Sequence, residues 1–361
     1  MSPESTPLPP VLLDVPLGEW PSMIGVSGAE IYRVRQLQDW FFQRRIKSFD
    51  EITVWPAALR RACAEKLTLR SLVPDGQVAS AEDGTVRFTY KTRDGLLFPS
   101  VFLHPPQGGD PVDPDEDEVP GGRSSLCLST QVGCAWGCSF CASGRVPFKR
   151  DLTQTEIVEQ IFWAEELTGR RLQSILFMGM GEPLANYENV VRALQWIRGS
   201  EGLHYGLRHV TVSTTGLVPQ IQQLSKGAPA VNLAISLHAA DDETRKKIMP
   251  RSARWTIKEV LKAAWDYQVK TRGSRLTFEY VMLDGINDSQ RNAQRLSNFL
   301  RHRKCWVNLI VYNPVPGLPF QPSTEEKVKK FSDILSERGI WTRVRRPLGK
   351  DIGAGCGQLS V

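Results

Sequence analysis

No apolar run in this sequence approaches the roughly 20 residues that a membrane-spanning helix needs, although 41% of its 361 residues are hydrophobic. Its first stretch, MSPESTPLPPVLLDVP, lacks the basic start and apolar centre of a secretory signal. These two absences lead to the expectation of a cytoplasmic protein with no membrane partner. No GxGxxG follows a predicted strand, which argues against a Rossmann fold. There are seven cysteines, an odd number without a signal, which argues against a secreted disulfide framework.

Three of those cysteines, Cys134, Cys138 and Cys141, fall within eight residues. Cys63, Cys127, Cys305 and Cys356 are scattered. The concentration suggests metal binding. Charged residues make up 23% and the net charge is +6. That balance permits an anionic partner such as nucleic acid without establishing one. Arg301, Arg303 and Lys304 form one basic cluster, and Arg343, Arg345, Arg346 and Lys350 another. By charge alone they read as solvated faces.

Four segments are expected. Residues 1–17 are Pro-rich and read as a loose arm. Residues 18–104 read as a small α+β accessory domain. Within it, 28–72 looks helical, with Val34, Leu37, Trp40, Phe41 and Ile46 at helical spacing. Residues 76–103 look like strands around hairpin turns at Asp83-Gly84 and Asp94-Gly95. Residues 105–124 form an acidic Pro/Gly-rich loop. From 125 to 361 strands alternate with helices. Candidate strands are 125–129, 174–178, 209–213, 231–237, 276–282, 306–311 and 340–344. Capping boxes are expected at Thr153 with Glu156 and at Ser323 with Glu326. This is an α/β pattern of parallel βα units, best read as a partial (βα) barrel, whose active site lies at the C-terminal strand ends.

The chemistry-bearing motifs fall at those ends. Cys134-AWG-Cys138-SF-Cys141 follows the strand SLCLS. Three thiolates at C-x3-C-x2-C spacing can hold three irons of a [4Fe–4S] cubane. The fourth iron would be open to the amino and carboxylate groups of S-adenosylmethionine (SAM), which an electron could then split to a 5′-deoxyadenosyl radical. The plainer readings are a zinc site, which lacks a second paired cluster here, or three buried thiols. Met178-Gly-Met-Gly181-Glu182-Pro183 follows another strand. It could receive an ammonium group, or simply be a tight turn. Ser213, Ser236, Leu237 and His238 end two further strands and suit hydrogen bonds to ribose and carboxylate. His238 could equally be a packed, loop-orienting histidine. Asn313 could reach adenine or ribose, or start an Asn-Pro turn. Cys356, flanked by glycines in DIGAGCGQL, is poorly explained as core. Cys127 reads as functional or as a small buried hydrophobe. Cys63 and Cys305 read as structural.

These segments carry a resemblance. SLCLSTQVGCAWGCSFCASG, MGMGEPLANYENV, HVTVSTTGLVP, LAISLHAADDETR, YNPVPG and DIGAGCGQL resemble the dual-specificity 23S rRNA/tRNA adenine-C2 methyltransferases of the RlmN type. The Cfr-type C8 enzymes are the nearest neighbours. YRVRQLQDWFFQRRIKSFDEIT resembles that family's N-terminal domain. The resemblance implies a radical-SAM barrel with an RNA-contacting accessory domain. Cys134, Cys138 and Cys141 would hold the cluster. Gly181, Glu182, Ser213, Ser236, Leu237, His238 and Asn313 would contact SAM. Cys356 would carry the methyl group, and Cys127 would resolve the adduct through a transient disulfide. The implied partners are 23S rRNA, with tRNA as a second candidate, and an electron donor such as flavodoxin or ferredoxin. A monomer is the default.

Two features depart from the family. Where its members place a glutamate, the proposed proton acceptor, this chain has Pro99. Asp94 and the acids of 115–118 are the substitutes that the sequence offers. The loop at 105–124 is also longer. Adenine C8 methylation is the alternative within this class. A cluster-bearing RNA-binding paralogue that no longer catalyses is the alternative outside it.

Overall fold

The computed structural model describes residues 8–104, 123–272, 274–345 and 347–360. The β-branched runs of the second half become short parallel strands, each but the last followed by a helix. They are β4 (Ser125–Cys127), β7 (Ser174–Phe177), β8 (Val210–Thr214), β9 (Asn232–Ser236), β10 (Leu276–Met282), β11 (Trp306–Val311) and β12 (Trp341–Arg345). Each lies within two residues of its expected bounds. Between β4 and β7 a two-residue ribbon, β5 (Gln131–Val132) with β6 (Arg150–Asp151), brackets the cysteine loop.

The crossover helices are α4 (Gln154–Thr168), α5 (Tyr187–Arg198), α6 (Val218–Gly227), α7 (Asp242–Ile248), α8 (Ile257–Lys270), α9 (Gln290–Leu300) and α10 (Glu325–Glu337). Thr153 and Glu156 make the expected capping box on α4. The expected box at Ser323 and Glu326 is not made. Thr324 caps α10 instead, and the Ser323 hydroxyl donates to Asp288 at 2.8 Å. An adjacent Ser-Thr pair gives the sequence two equivalent caps, and the buried Asp288 decides between them.

Three antiparallel strands extend the same sheet: β1 (Val73–Ala79), β2 (Val86–Lys91) and β3 (Leu97–Leu103). Their turns carry Gly84 and Gly95 at φ +73° and +81°, as the hairpin signals require. β3 pairs with β4, setting Val101 opposite Cys127. The ten strands run β1-β2-β3-β4-β7-β8-β9-β10-β11-β12. Among the described residues β12 does not pair back to β4, so the barrel is partial.

The accessory helices α1 (Trp20–Met23), α2 (Tyr32–Phe42) and α3 (Ala57–Lys66) pack on the barrel's outer helices. Trp20 and Phe42 stack on Trp196 of α5, with ring centroids 5.6 and 5.2 Å apart. Glu159 of α4 accepts the Ser71 and Leu72 amides, each at 2.7 Å. The expected loose arm is corrected here. From Val11 to Val15 it is docked, with Leu12 and Leu13 fully buried and the Leu12 amide donating to the Thr68 carbonyl at 2.9 Å. Its apolar cluster VLL outweighs the prolines around it. Most of the acidic loop, 105–122, lies outside the described residues, and with it the acids at 115–118.

Alternation along each strand separates two faces. Phe98 and Phe102 of β3, Leu126 of β4 and Phe278, Tyr280 and Met282 of β10 enter the main core beneath the helices. Val101, Cys127 and Val281 belong to smaller clusters on the other, concave face, which places Pro99 and Glu279 on that face too. Among the described residues no helix is long and apolar enough to cross a membrane.

Candidate active site

The cysteine loop is fixed at both shoulders. Gly133 takes φ +79°, and a Cβ there would lie 2.2 Å from the Pro147 carbonyl oxygen, so only glycine fits. The Ser139 amide donates to the Ile248 carbonyl at 2.9 Å, and the Cys141 amide to that of Cys138 at 3.1 Å. Burial, first, and the neighbouring thiols, second, push Cys138 well up. Burial likewise raises Cys141 and pushes Cys134 up to about 11. The three thiols are thus close enough to feel one another.

The turn after β7 packs against the start of this loop. A Cβ at Gly179 would sit 2.7 Å from the Leu128 carbonyl, and one at Gly181 (φ +106°) 2.7 Å from Gln131 Cβ. Glu182 is buried. Its carboxylate accepts the Leu184 amide at 3.0 Å and the Thr215 amide at 2.7 Å. Its own amide donates to Gln131 Oε1 at 2.9 Å. Burial raises the Glu182 carboxyl, and the backbone donors pull it back.

Ser213 and Ser236 stand side by side, hydroxyl oxygens 3.5 Å apart. Leu237 is fully buried. His238 holds φ +55° and accepts the Val281 amide on Nδ1 at 3.0 Å. Its ring lies edge-on to Phe140 of the cysteine loop, centroids 5.1 Å apart. Burial, then the Arg245 charge, lowers its pKa to about 3. These contacts fix the position of the His238 ring and of the loop that carries it. Asn313 does not merely start a turn, because its amide donates to the Cys356 carbonyl at 3.2 Å.

The C-terminal segment is drawn to the cysteine loop. The Ala142 amide donates to the Gly357 carbonyl at 2.7 Å, and the Ser143 hydroxyl to the Leu359 carbonyl at 2.6 Å. Ala354 and Leu359 share an apolar cluster with Val101 and Cys127. Cys356 is exposed, and all seven cysteines are free. Cys127 is buried, and desolvation, then the neighbouring Cys356, pushes its thiol up to about 12. Cys63 and Cys305 lie in the main core.

Three residues that sequence reasoning missed, Arg345, Glu279 and Asn308, complete this chamber. Arg345, read as part of a solvated basic face, points inward. Its charge acts on both Cys356 and Cys127 and is supported by Glu279, at 3.7 Å. Glu279 is buried and takes the Asn308 amide at 2.8 Å. No signal in WTRVR singled out Arg345, because alternation places Arg343 on the same face. For Glu279 no signal existed, since FEYVM is apolar on both sides. Asp94 is not available to this chamber. It makes two bonds to Arg150, at 2.7 and 2.8 Å, which hold its carboxyl well below the usual range. Beside the cysteine loop, a cleft of about 790 Å³ is lined by Gln131, Ala135, Trp136, Lys246, Arg251 and Arg254, among others.

The Radical SAM superfamily model matches residues 128–295. A dual-specificity RNA methyltransferase RlmN of Anaeromyxobacter sp. is 40% identical over all of this chain and 94% of its own length. A second such protein, RlmN 2 of Myxococcus xanthus, is 40% identical over 92% of this chain and 85% of its own. The chain belongs to the RlmN family. The crystal structure of a radical SAM methyltransferase from Sphaerobacter thermophilus superposes on it with a TM-score of 0.86. The two are 40% identical, over 97% of this chain and 99% of that one.

Membership in the RlmN family implies SAM and an iron–sulfur cluster, and the residues fit both. A mononuclear site asks its donors to converge on one ion, and among the described residues no three Cys, His, Asp or Glu side chains do so. A cubane asks for one thiolate per iron, which three thiols spread along one loop can supply. Burial holds these thiols protonated, so a bound cationic cluster would be what ionises them. Around them the glycine turn lets backbone approach closely, and Thr215 Oγ1 is buried with no hydrogen-bond partner. A polar ligand entering there would meet an unsatisfied group.

Proposed function

We propose that this chain methylates C2 of adenine in RNA, with 23S rRNA as substrate and tRNA as a second one, through a methylated Cys356. The reading is carried by one observation: Cys356, exposed at the end of the chain, stands beside buried Cys127 and is hydrogen-bonded through its segment to the cysteine loop. Cys134, Cys138 and Cys141 hold a [4Fe–4S] cluster, and Gly181, Glu182, Ser213, Ser236, Leu237, His238 and Asn313 line the SAM site. When bound, the cluster supplies the electron that cleaves SAM to the radical which takes a hydrogen from an S-methyl group.

Adenine C2 is electron-poor and a weak nucleophile, whereas a thiolate is a good one. Cys356 therefore accepts the methyl group first. Arg345 lies near both thiols, and its charge favours the ionised form of Cys127. After the methylene has joined the base, Cys127 attacks the Cys356 sulfur, and the transient disulfide frees the RNA. Asn313 fixes the Cys356 carbonyl and so sets where the sulfur stands. The basic, aromatic-walled cleft beside the cysteine loop supports docking of an acidic electron donor such as flavodoxin or ferredoxin. The enzyme acts as a cytoplasmic monomer in this reading.

The test is turnover of reduced, cluster-loaded protein with SAM and 23S rRNA, read as 5′-deoxyadenosine and methyladenosine by mass spectrometry. 2-Methyladenosine is expected, and 8-methyladenosine would move the chain to the C8 class. Cys127→Ala should leave protein covalently joined to RNA. Pro99 favours one other reading, a paralogue that binds without catalysis. Cluster and SAM binding with neither product would select it.

A further inference from the structure

Replacing C–H by C–CH3 on adenine releases the ring proton, so some group must take it. Position 99 offers none, because Pro99 has no acid or base. Asp94 is locked to Arg150 on another surface. Among the described residues, the concave face around the two thiols presents Arg345, a permanent cation, the Asn308 amide, and one carboxylate, Glu279.

We infer that Glu279 accepts the C2 proton in this chain, doing from β10 what a carboxylate at position 99 would do from β3. This rests on the reading of the site as an adenine methyltransferase acting through Cys356. The geometry is specific. One oxygen, Oε1, is held by Asn308 Nδ2 at 2.8 Å. The other, Oε2, is buried with no hydrogen bond, and Arg345 Nη1 stands off at 3.7 Å, beyond hydrogen-bond reach. A purely structural ion pair would close that gap. A buried carboxylate oxygen left unbonded is costly, and it is aimed into the chamber that holds Cys127. Desolvation raises its proton affinity, with Arg345 and Asn308 opposing.

The step balances simply. In the adduct, the methylene on Cys356 sulfur is bonded to C2, which still carries its hydrogen. The C2–H bond breaks, its electron pair stays in the purine ring, and the proton bonds to Glu279 Oε2. The unpaired electron that radical addition leaves on the ring would pass to the oxidised iron–sulfur cluster, the one-electron acceptor this balance requires. Cys127 then attacks sulfur, the S–CH2 bond breaks with its electron pair on carbon, and that carbon takes a proton to become the methyl group.

The experiment compares wild type, Glu279→Gln, Glu279→Asp and Pro99→Glu/Glu279→Gln on a 23S rRNA fragment with SAM and reductant. Methylation of Cys356 is read by peptide mass, the protein–RNA adduct on denaturing gels, and melting temperature on the cluster-free proteins. Glu279→Gln should methylate Cys356 as wild type does and yield 5′-deoxyadenosine. It should accumulate adduct and lose product about 100-fold or more, the usual worth of a general base. Glu279→Asp, which keeps the acid, should stay within about tenfold of wild type, and the added Glu at 99 should recover at least about tenfold over Glu279→Gln. Product formation by Glu279→Gln within threefold of wild type overturns the proposal. So does Glu279→Asp falling to the level of Glu279→Gln, or loss of Cys356 methylation in Glu279→Gln. No methyladenine from wild type removes the underlying function, and the proposal with it.

Discussion

In the proposed reaction Cys127 must stay quiet until the adduct exists, and its surroundings say how quiet. Its thiol is pushed up to about 12 by burial and by Cys356, against about 8.5 for an ordinary cysteine. At pH 8 roughly one Cys127 in 10,000 is then thiolate, against about one in four for an ordinary thiol, a deficit near 2,000-fold. A more basic thiolate is a better nucleophile, with a Brønsted slope of about 0.4–0.5, which returns about 40-fold. The net expectation is alkylation about 50-fold slower than that of an unhindered thiol, before burial slows it further. Timed iodoacetamide labelling of the resting, cluster-loaded enzyme, quantified by peptide mass, reads this directly, with exposed Cys356 as reference. Arg345 opposes the shift, so Arg345→Met should slow Cys127 further. Labelling of Cys127 as fast as Cys356 at pH 8 would refute the reasoning.

Glu159→Ala should strand the buried Ser71 and Leu72 amides at about 1–3 kcal/mol each, and chemical denaturation should show a loss of about 2–6 kcal/mol. Gly181→Ala puts a methyl 2.7 Å from Gln131 at φ +106°. About 1–3 kcal/mol of backbone strain and a SAM affinity reduced at least about tenfold by calorimetry should follow. His238 has a folded pKa of about 3 against about 6.5 unfolded, so its contribution is present above pH 6.5 and lost as pH falls toward 3. The maximum is about 5 kcal/mol, and His238→Asn should flatten the acid limb of the stability curve. RNA affinity should fall steeply with salt if Arg301, Arg303 and Lys304, all exposed, touch phosphates, and Gln at all three should lower the log–log slope by about 2–3.

The parallel strands were legible because their apolar runs are short, β-branched and punctuated by turns, and the cysteine spacing announced the loop they support. The docked arm was not, because VLL is too short to outweigh five nearby prolines until the surface that receives it is known. Ser323 and Thr324 are interchangeable as caps in sequence, and Asp288, 35 residues earlier, chooses between them. Arg345 looked like its solvated neighbours until β12 was seen to face the thiols. Glu279 lies in a strand buried on both faces, where periodicity carries no information about which face is the chamber. Local pattern thus gave the elements, while the chamber's charges depend on which strands a curved sheet brings face to face.

In the proposed reaction a methyl group passes through Cys356 and loses one hydrogen before it reaches the base. SAM carrying a CD3 group tests this in a single mass measurement. Adenine bearing a methyl with two deuteriums, and 5′-deoxyadenosine bearing one, is the predicted result. Methyladenine that retains all three deuteriums would mean direct transfer from SAM, and would contradict the assignment of Cys356 and Cys127.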